Sequence, residues 1–290
     1  MNYAERTLAF PCQGEQLYGI LSLPEQASAR GVLIVVGGPQ YRAGSHRQFT
    51  LLARHLASHG IPVMRFDYRG MGDSHGAARN FEDVSADIRA AIDQFMTAAP
   101  ALREVVLWGL CDAASAALFY AHQDERVCGL ALLNPWVRTE QGLAKAYLKR
   151  YYLKRAFDTA LWQKIVRGGF DIQTATRSLL GMMRTVLRAR RHASRWQASG
   201  SAEQPGALSL PEKMYDGLRR FNGNVLLVLS GDDMTAQEFS ELISASGKWR
   251  KLLRHRKIQR QHLAAANHTF SRHEWRDQVA AWTRDWIRGW

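Results

Sequence analysis

A single cysteine stands where the sequence predicts an abrupt change from a buried strand to a helix. Residues 105–110 form an apolar run that ends in the pattern Gly109-x-Cys111-x-Ala113, and small residues continue beyond it. Small residues two positions to either side permit a sharp turn that lifts the central side chain to the top of a parallel sheet. The following helix offers backbone N–H groups and its positive dipole end to developing negative charge. Although a lone cysteine is usually a small buried hydrophobe, this context predicts that Cys111 is a nucleophile.

A thiol nucleophile needs a base, and the base needs an acid that orients it. In this arrangement the acid follows a late strand and the histidine lies in a later loop. Of the ten histidines, His268 has this placement, directly before the last predicted helix, whereas its nearest rival, His262, lies earlier. Asp232 and Asp233 both follow an apolar strand. We predict Asp233 as the acid, because the acid usually stands two or three residues after the turn glycine, and Asp232 is the alternative.

The negative oxygen that forms when such a nucleophile attacks a carbonyl needs backbone N–H donors. One should come from Asp112, the residue after the nucleophile, and another from the loop after the predicted strand over 31–36. Pro39 stands where a donor often lies in this loop, but proline has no N–H. We therefore predict Gln40 as the second donor, with Gly38 as the alternative.

Three polar side chains follow in the same loop. Arg42, His46 and Arg47 are predicted to lie near the nucleophile, where they are candidates for binding a carboxylate or phosphate of the substrate. The alternative is that these side chains face solvent and bind no substrate.

Strands and helices alternate along most of the chain. Alternating residues predict an antiparallel hairpin over 3–24, continuous apolar runs predict buried strands, and helical periodicity predicts helices. The predicted strands cover 31–36, 62–66, 105–110, 127–133 and 224–231; the predicted helices cover 48–59, followed by Gly60, 84–98, and a last helix that turns Trp275, Trp282, Trp286 and Trp290 to the core. This alternation predicts the α/β class, with a mostly parallel central sheet flanked by helices and the reactive loops at one edge.

The strand pattern stops between residues 136 and 210. This stretch is basic and helical in pattern, and residues 137–200 carry fourteen Lys and Arg against three acidic residues. We predict a helical lid over 136–210, inserted between the two parts of the core, 1–135 and 211–290. Such a lid would suit an anionic carrier, such as a phosphorylated coenzyme, or an anionic membrane surface.

Composition narrows the protein class. The chain has 290 residues, of which 46% are hydrophobic and 22% charged, with a formal net charge of +13. This composition is typical of globular proteins and excludes disordered and fibrous ones. Cys12, Cys111 and Cys128 are widely spaced, so we expect no disulfide, no metal site and no cofactor. No signal peptide and no apolar run of membrane-spanning length is found, and we expect a cytoplasmic protein with the basic lid available for peripheral contact with the inner membrane.

The motifs together resemble those of the α/β-hydrolase superfamily, and more narrowly those of the hydrolases associated with the exosortase A system (type 1). The superfamily resemblance rests on the segments 37–39 (GGP), 66–74 (FDYRGMGDS), 109–113 (GLCDA), 231–233 (GDD) and 267–270 (NHTF). The narrower one rests on the Gly-Pro-Gln-Tyr-Arg loop and the Gly-Leu-Cys-Asp turn. The superfamily resemblance implies an α/β-hydrolase fold and a loop-bracing role for Arg69. The narrower resemblance implies a pathway linked to exopolysaccharide and protein sorting. Cysteine replaces the usual serine, and alanine replaces the last glycine of the turn.

Two classes of function follow. The first is an enzyme that hydrolyses or transfers an acyl group from a small ester or thioester through a Cys111-bound intermediate, with hydrolysis preferred on the resemblance. The second is a non-catalytic module that uses the basic lid to dock an anionic membrane or a partner in polysaccharide assembly. A nucleic-acid partner is not expected, because the basic stretch carries no recognisable binding fold.

Overall fold

Eight strands form one mixed sheet in the computed structural model, which describes residues 2–38, 40–137, 208–254 and 257–290. The strands are β1 (Tyr3–Cys12), β2 (Glu15–Pro24), β3 (Arg30–Val35), β4 (Val63–Asp67), β5 (Glu104–Leu110), β6 (Val127–Leu133), β7 (Asn224–Asp232) and β8 (Ile258–Asn267). The α-helices of the described residues are α1 (Gln48–Ser58), α2 (Ser85–Ala98), α3 (Asp112–Tyr120), α4 (Leu210–Arg220), α5 (Met234–Ala245), α6 (Gly247–Leu252) and α7 (His273–Arg288).

The strand order in the sheet is β1-β2-β4-β3-β5-β6-β7-β8. The amino-terminal hairpin is antiparallel, as predicted, and β2 also pairs antiparallel with β4. Every other pairing is parallel, so β3, β5, β6, β7 and β8 all end at the same edge. The predicted α/β class with a mostly parallel sheet is confirmed, and the loops that carry the predicted site leave from this edge.

The sheet is covered on both faces, which explains the continuous apolar runs in its strands. In β5, Val105 and Leu107 face one core, which also contains residues of α2, α3, α4 and α5. Val106 and Trp108 face the opposite core, formed with α1 and α7. Successive side chains of a strand point to opposite faces of the sheet, so β5 packs against both cores.

The last helix packs its tryptophans against the second core. Trp286 is buried, and Trp275, Trp282 and Trp290 are partly buried against the same cluster, in agreement with the core-facing role predicted for them. Helix α1 ends at Ser58, and Gly60 follows with a φ of 85°. That left-handed backbone is readily adopted by glycine, which places the chain for its entry into β4.

The predicted lid over 136–210 lies almost entirely outside the described residues. Its boundaries and its helical character therefore stay predictions, as does the division of the chain into a core and an insertion. Within the described ranges, no helix is long and apolar enough to cross a membrane.

The loop after β4 is held by a buried ion pair. Arg69 and Asp87 are 2% and 0% exposed. The backbone N–H and the Nε of Arg69 each donate to Asp87 Oδ1 at 2.9 Å, and Nη2 donates to Oδ2 at 2.8 Å. One α2 carboxylate therefore fixes both the backbone and the side chain of Arg69, which agrees with the bracing role that the resemblance implies.

Removing this carboxylate should destabilise the protein strongly. We expect Asp87→Ala to lower the free energy of unfolding by about 3–5 kcal/mol, because the Arg69 guanidinium would stay buried without a counter-charge. Equilibrium urea unfolding followed by tryptophan fluorescence measures the difference. Asp83→Ala is the control, because the Asp83 side chain is 70% exposed in its pair with Arg79, and it should lose less than about 1 kcal/mol. Equal losses in the two variants would contradict the prediction.

Candidate active site

Cys111 lies on a strained turn between β5 and α3. Its φ of 63° and ψ of −124° lie outside the regions that non-glycine residues usually adopt. The turn brings α3 so close to β5 that a Cβ on Gly109 would lie 2.6 Å from the backbone of Ala113. The Cys111 N–H donates to the Leu133 carbonyl of β6 at 2.9 Å. A strained backbone that neighbouring strands hold in place is typical of functional sites.

The structure brings His268 and Asp233 together beside Cys111. His268 follows β8, and its Nδ1 lies 2.9 Å from Asp233 Oδ2. The imidazole also interacts with the Cys111 side chain, which helps to raise the pKa of His268. Asp233 is 9% exposed, whereas Asp232, at the end of β7, is exposed. The rival histidine, His262, is exposed in the middle of β8.

Asp233 has a second structural role at the start of α5. Its Oδ1 accepts the Thr235 N–H at 3.2 Å and its Oδ2 accepts the Ala236 N–H at 3.1 Å. The carboxylate is therefore the N-cap of this helix, and the two N–H groups fix its orientation. The side chain that meets the imidazole is thus held in place by backbone as well as by its histidine partner.

The charges of His268 and Asp233 stabilise each other. Hydrogen bonds with Asp233 and then with Cys111 raise the pKa of His268 to about 10, against the opposing effect of burial. Burial acts to raise the pKa of Asp233, but the hydrogen bond and charge of His268 outweigh it, and the pKa of Asp233 is lowered. A proton therefore resides on the imidazole at neutral pH, with a carboxylate on one side and sulfur on the other.

Asn134 ties three elements of the site together, and the sequence analysis did not single it out. It is fully buried at the end of β6, and its Nδ2 donates to Ser230 Oγ at 2.6 Å and to the His268 carbonyl at 3.1 Å. Its Oδ1 accepts the Ser230 N–H at 2.9 Å. With a φ of 43°, it occupies a conformation that asparagine tolerates better than most residues. An asparagine directly after a buried strand was the available signal.

The two predicted sources of oxyanion donors lie next to each other. Asp112 begins α3, and the Gly38 N–H donates to Asp112 Oδ2 at 2.7 Å. The Ala113 N–H donates to Asp112 Oδ1 at 2.9 Å. Gln40 lies in the same loop as Gly38, and its side-chain Oε1 is buried without a hydrogen-bond partner among the described residues. The choice between Gln40 and Gly38 as second donor stays a prediction.

Arg42 is engaged by carboxylates that the sequence analysis did not connect with it. Its guanidinium pairs with the buried Asp67 and, at 2.8 Å, with the exposed Asp73. Its backbone N–H donates to Asp67 Oδ1 at 2.7 Å. Arg42 thus braces the loops after β3 and β4, and substrate binding by this side chain would compete with both pairs. His46 and Arg47 are exposed, and their predicted role stays a prediction.

Metal binding has no support within the described ranges, where no group of three or more His, Cys, Asp or Glu side chains could hold an ion. The reactive groups that the structure places together are the sulfur, the imidazole, the carboxylate and the backbone N–H groups around them.

The sequence matches the family described as serine aminopeptidase, S33, over residues 27–178. The chain belongs to this family. The matched region includes the strained turn with Cys111, the predicted nucleophile. No curated protein sequence matches the chain significantly.

Solved structures similar to this chain are α/β hydrolases. An esterase from Pyrococcus furiosus, Pf2001, has a TM-score of 0.64 at 12% identity, covering 99% of this chain and 93% of its own. Est1E from Butyrivibrio proteoclasticus, solved with ferulic acid, has a TM-score of 0.59 at 13% identity, covering 97% and 98%. An α/β serine hydrolase without a lid from Xanthomonas campestris has a TM-score of 0.58 at 13% identity, covering 100% and 96%. At these identities the likeness shows the α/β-hydrolase fold.

The raised pKa of His268 predicts a pH-dependent contribution to stability. The folded state binds the imidazole proton more tightly than the unfolded chain, where histidine has a pKa of about 6.5. The stabilisation is therefore fully present below about pH 6.5 and is lost as pH rises towards 10. We expect the difference in unfolding free energy between the wild type and His268→Gln to be largest near pH 6 and to shrink steadily above it. Urea unfolding at several pH values measures it. His262→Gln, on an exposed histidine, should show no such trend, and a pH-independent difference for His268→Gln would contradict the prediction.

The Asn134 network predicts a loss of both stability and site geometry. We expect Asn134→Ala to lower the unfolding free energy by about 2–3 kcal/mol, because the buried Ser230 N–H loses its acceptor. The His268 carbonyl loses a donor, so the imidazole should be less well placed and alkylation of Cys111 by iodoacetamide should slow. Peptide mass spectrometry follows the alkylation. Asn222→Ala, at an exposed asparagine, is the control and should change stability and alkylation little. An unchanged alkylation rate in Asn134→Ala would argue against a positioning role.

Proposed function

We propose that this protein is an acyl hydrolase of the α/β type that acts on esters or thioesters through a covalent intermediate on Cys111. One observation carries the proposal: Nδ1 of His268 lies 2.9 Å from Oδ2 of the Asp233 carboxylate, and the same imidazole interacts with the Cys111 side chain. Nucleophile, base and orienting acid come from three loops at one edge of the sheet, as the chemistry of a triad requires.

Acylation needs the sulfur of Cys111 as a thiolate, and His268 is placed to accept its proton. The sulfur of Cys111 attacks the substrate carbonyl carbon, a C–S bond forms, and the π electrons of the carbonyl move to its oxygen. The N–H of Asp112, with one from the 38–40 loop, stabilises the resulting oxyanion. When the intermediate collapses, the bond to the leaving oxygen or sulfur breaks and the His268 imidazolium supplies its proton. The products are a thioester on Cys111 and the free alcohol or thiol.

Deacylation uses the same groups in reverse. The imidazole, now neutral, takes a proton from a water molecule as that water attacks the thioester carbonyl. The C–S bond then breaks, the acid product leaves, and the sulfur regains its place beside the imidazolium. A hydroxyl or amine in place of water would give acyl transfer. We propose hydrolysis ahead of transfer because the family and the resemblance both point to hydrolases.

Cysteine in place of the family's serine favours thioesters and activated esters among the candidate substrates. A thiolate is a good nucleophile and a good leaving group, so it exchanges readily with another thioester. The raised pKa of His268 fits this chemistry, since it keeps the imidazole protonated beside the sulfur at neutral pH. A serine hydroxyl would instead need a neutral imidazole to remove its proton.

The pathway is a further part of the proposal. The loop and turn motifs that resemble those of the exosortase-associated hydrolases suggest an acylated intermediate of exopolysaccharide or envelope metabolism. The basic segment over 136–210, most of which lies outside the described residues, is proposed to contact an anionic carrier of the acyl group or the inner-membrane surface. These points rest on the sequence alone.

A panel of acyl esters and acyl thioesters of increasing chain length tests the proposal. We expect turnover by the wild type, and intact-protein mass spectrometry of rapidly quenched samples should show one acyl group, on the peptide that contains Cys111. Cys111→Ala should lower kcat/KM at least about a thousandfold. Cys128→Ala is the control: its thiol is half-buried, and burial raises its pKa to about 11, so it should be inert.

Two results would overturn the proposal. One is a folded wild type that turns over none of the substrates and whose Cys111 is not acylated by the panel. The other is turnover that survives Cys111→Ala, which would move the chemistry to another residue. Salt-sensitive binding to anionic vesicles that survives the same substitution, with no turnover, would favour a non-catalytic docking module instead.

A further inference from the structure

The side chain of Asp112 folds back onto the backbone N–H groups around the nucleophile. Its Oδ2 accepts the Gly38 N–H at 2.7 Å and its Oδ1 accepts the Ala113 N–H at 2.9 Å. The carboxylate is also within hydrogen-bonding reach of its own backbone N–H. One acidic side chain therefore takes up donors from both the loop after β3 and the first turn of α3.

The loop after β3 and the first turn of α3 are the two segments that are expected to supply the oxyanion donors. One donor is expected on the residue after the nucleophile, which is Asp112 itself, and the other in the loop that begins at Gly38. A backbone N–H has one hydrogen and makes one strong hydrogen bond at a time. While Asp112 accepts from Gly38, that N–H is not available to a substrate oxygen.

The fit of the carboxylate is built into the neighbouring loop. A Cβ on Gly37 would lie 2.1 Å from Asp112 Oδ1, so only glycine leaves room for the side chain there. Gly38 has a φ of 58°, a conformation that glycine adopts without strain and that accompanies its N–H bond to the carboxylate. The charge of His268 also attracts the carboxylate. Sterics, hydrogen bonding and charge thus all favour the same side-chain position.

We propose that the Asp112 carboxylate closes the oxyanion hole of the resting enzyme and has to move away before an acyl group can be transferred. The inference rests on the proposed function, because it concerns the same nucleophile. The carboxylate takes the place of the negative oxygen of the tetrahedral intermediate. Its two oxygens accept from backbone N–H groups, the type of donor that this negative oxygen would need. Productive substrates are those whose carbonyl group and neighbouring contacts displace it, so Asp112 limits turnover and selects among acyl compounds.

Aldehydes test the inference without any turnover. The sulfur of Cys111 adds to an aldehyde carbonyl, one C–S bond forms, and the π electrons move to an oxygen that needs the hole. No group leaves, and the proton of His268 is available to that oxygen. Butanal and octanal are titrated against the wild type and Asp112→Ala, and occupancy is measured as protection of Cys111 from alkylation by iodoacetamide, which does not use the oxyanion hole.

We expect Asp112→Ala to bind both aldehydes at least about tenfold more tightly than the wild type, because the donors are then free. Asp112→Asn keeps the shape of the side chain but not its charge, so its aldehyde affinity should lie between those of the wild type and Asp112→Ala. It also serves as a second variant if alanine disturbs α3. Asp232→Asn is the matched control: it removes an exposed carboxylate at the same sheet edge and should leave aldehyde affinity unchanged. The inference would be supported most strongly if Asp112→Ala bound the aldehydes and the wild type did not.

Unchanged or weaker aldehyde binding in both Asp112 variants would overturn the inference. Hydrolysis of the ester and thioester panel distinguishes this failure from failure of the proposed function. If the wild type hydrolyses the panel through Cys111 while the Asp112 variants gain no aldehyde affinity, the function stands and the closing role of Asp112 is wrong. If no variant hydrolyses the panel or binds an aldehyde, both are wrong.

Discussion

The backbone of Cys111, held at a φ of 63°, is the constraint on which the rest of the site depends. A conformation of this kind costs of the order of 1–3 kcal/mol in a non-glycine residue and persists only where surrounding structure enforces it. Here the Leu133 carbonyl binds the N–H, and the carbonyl of Cys111 accepts from Ala114 at 3.1 Å and from Trp136 at 3.2 Å. The turn therefore lies within a hydrogen-bonded frame that holds the strained backbone of Cys111 in place.

The parallel sheet supplies the remaining parts of the site from distant positions in the chain. The loops after β5, β7 and β8 all leave from one edge, so residues more than a hundred positions apart meet there. Asn134 makes this edge rigid by bonding the end of β7 to the loop that carries His268. Asn134 Nδ2 has two acceptors, the Ser230 hydroxyl in β7 and the His268 carbonyl in the loop after β8. A small shift of either element would therefore break a buried hydrogen bond. Burial of these bonds resists such a shift.

Many of the elements could be predicted from the sequence because each leaves a local pattern, but β8 and the helices α4 to α6 were not among those predicted. The apolar runs of the strands, the small residues beside Cys111 and the order of Cys111, Asp233 and His268 are all local features, and the structure agrees with the sheet and brings these three side chains together. Contacts between loops leave no such pattern. The pairing of Arg42 with Asp67 and Asp73 depends on the distance between two loops that no periodicity fixes. The polar residues that the sequence offered as substrate contacts could therefore be named but not oriented.

The carboxylates of Asp233 and Asp112 both lie near the His268 imidazole, but their electrostatic roles differ. Asp233 is bound by the His268 N–H and by a helix N-terminus, so its charge stabilises the imidazolium whenever the ring is protonated. Among the described residues, Asp112 is bound by backbone N–H groups and attracted by the same imidazolium, and burial raises its pKa. A negative oxygen formed on a substrate would compete with Asp112 for those donors, but it could not compete with Asp233, which faces the other side of the ring. The first carboxylate is therefore a fixed part of the charge balance, whereas the second occupies a position that a transition state would need.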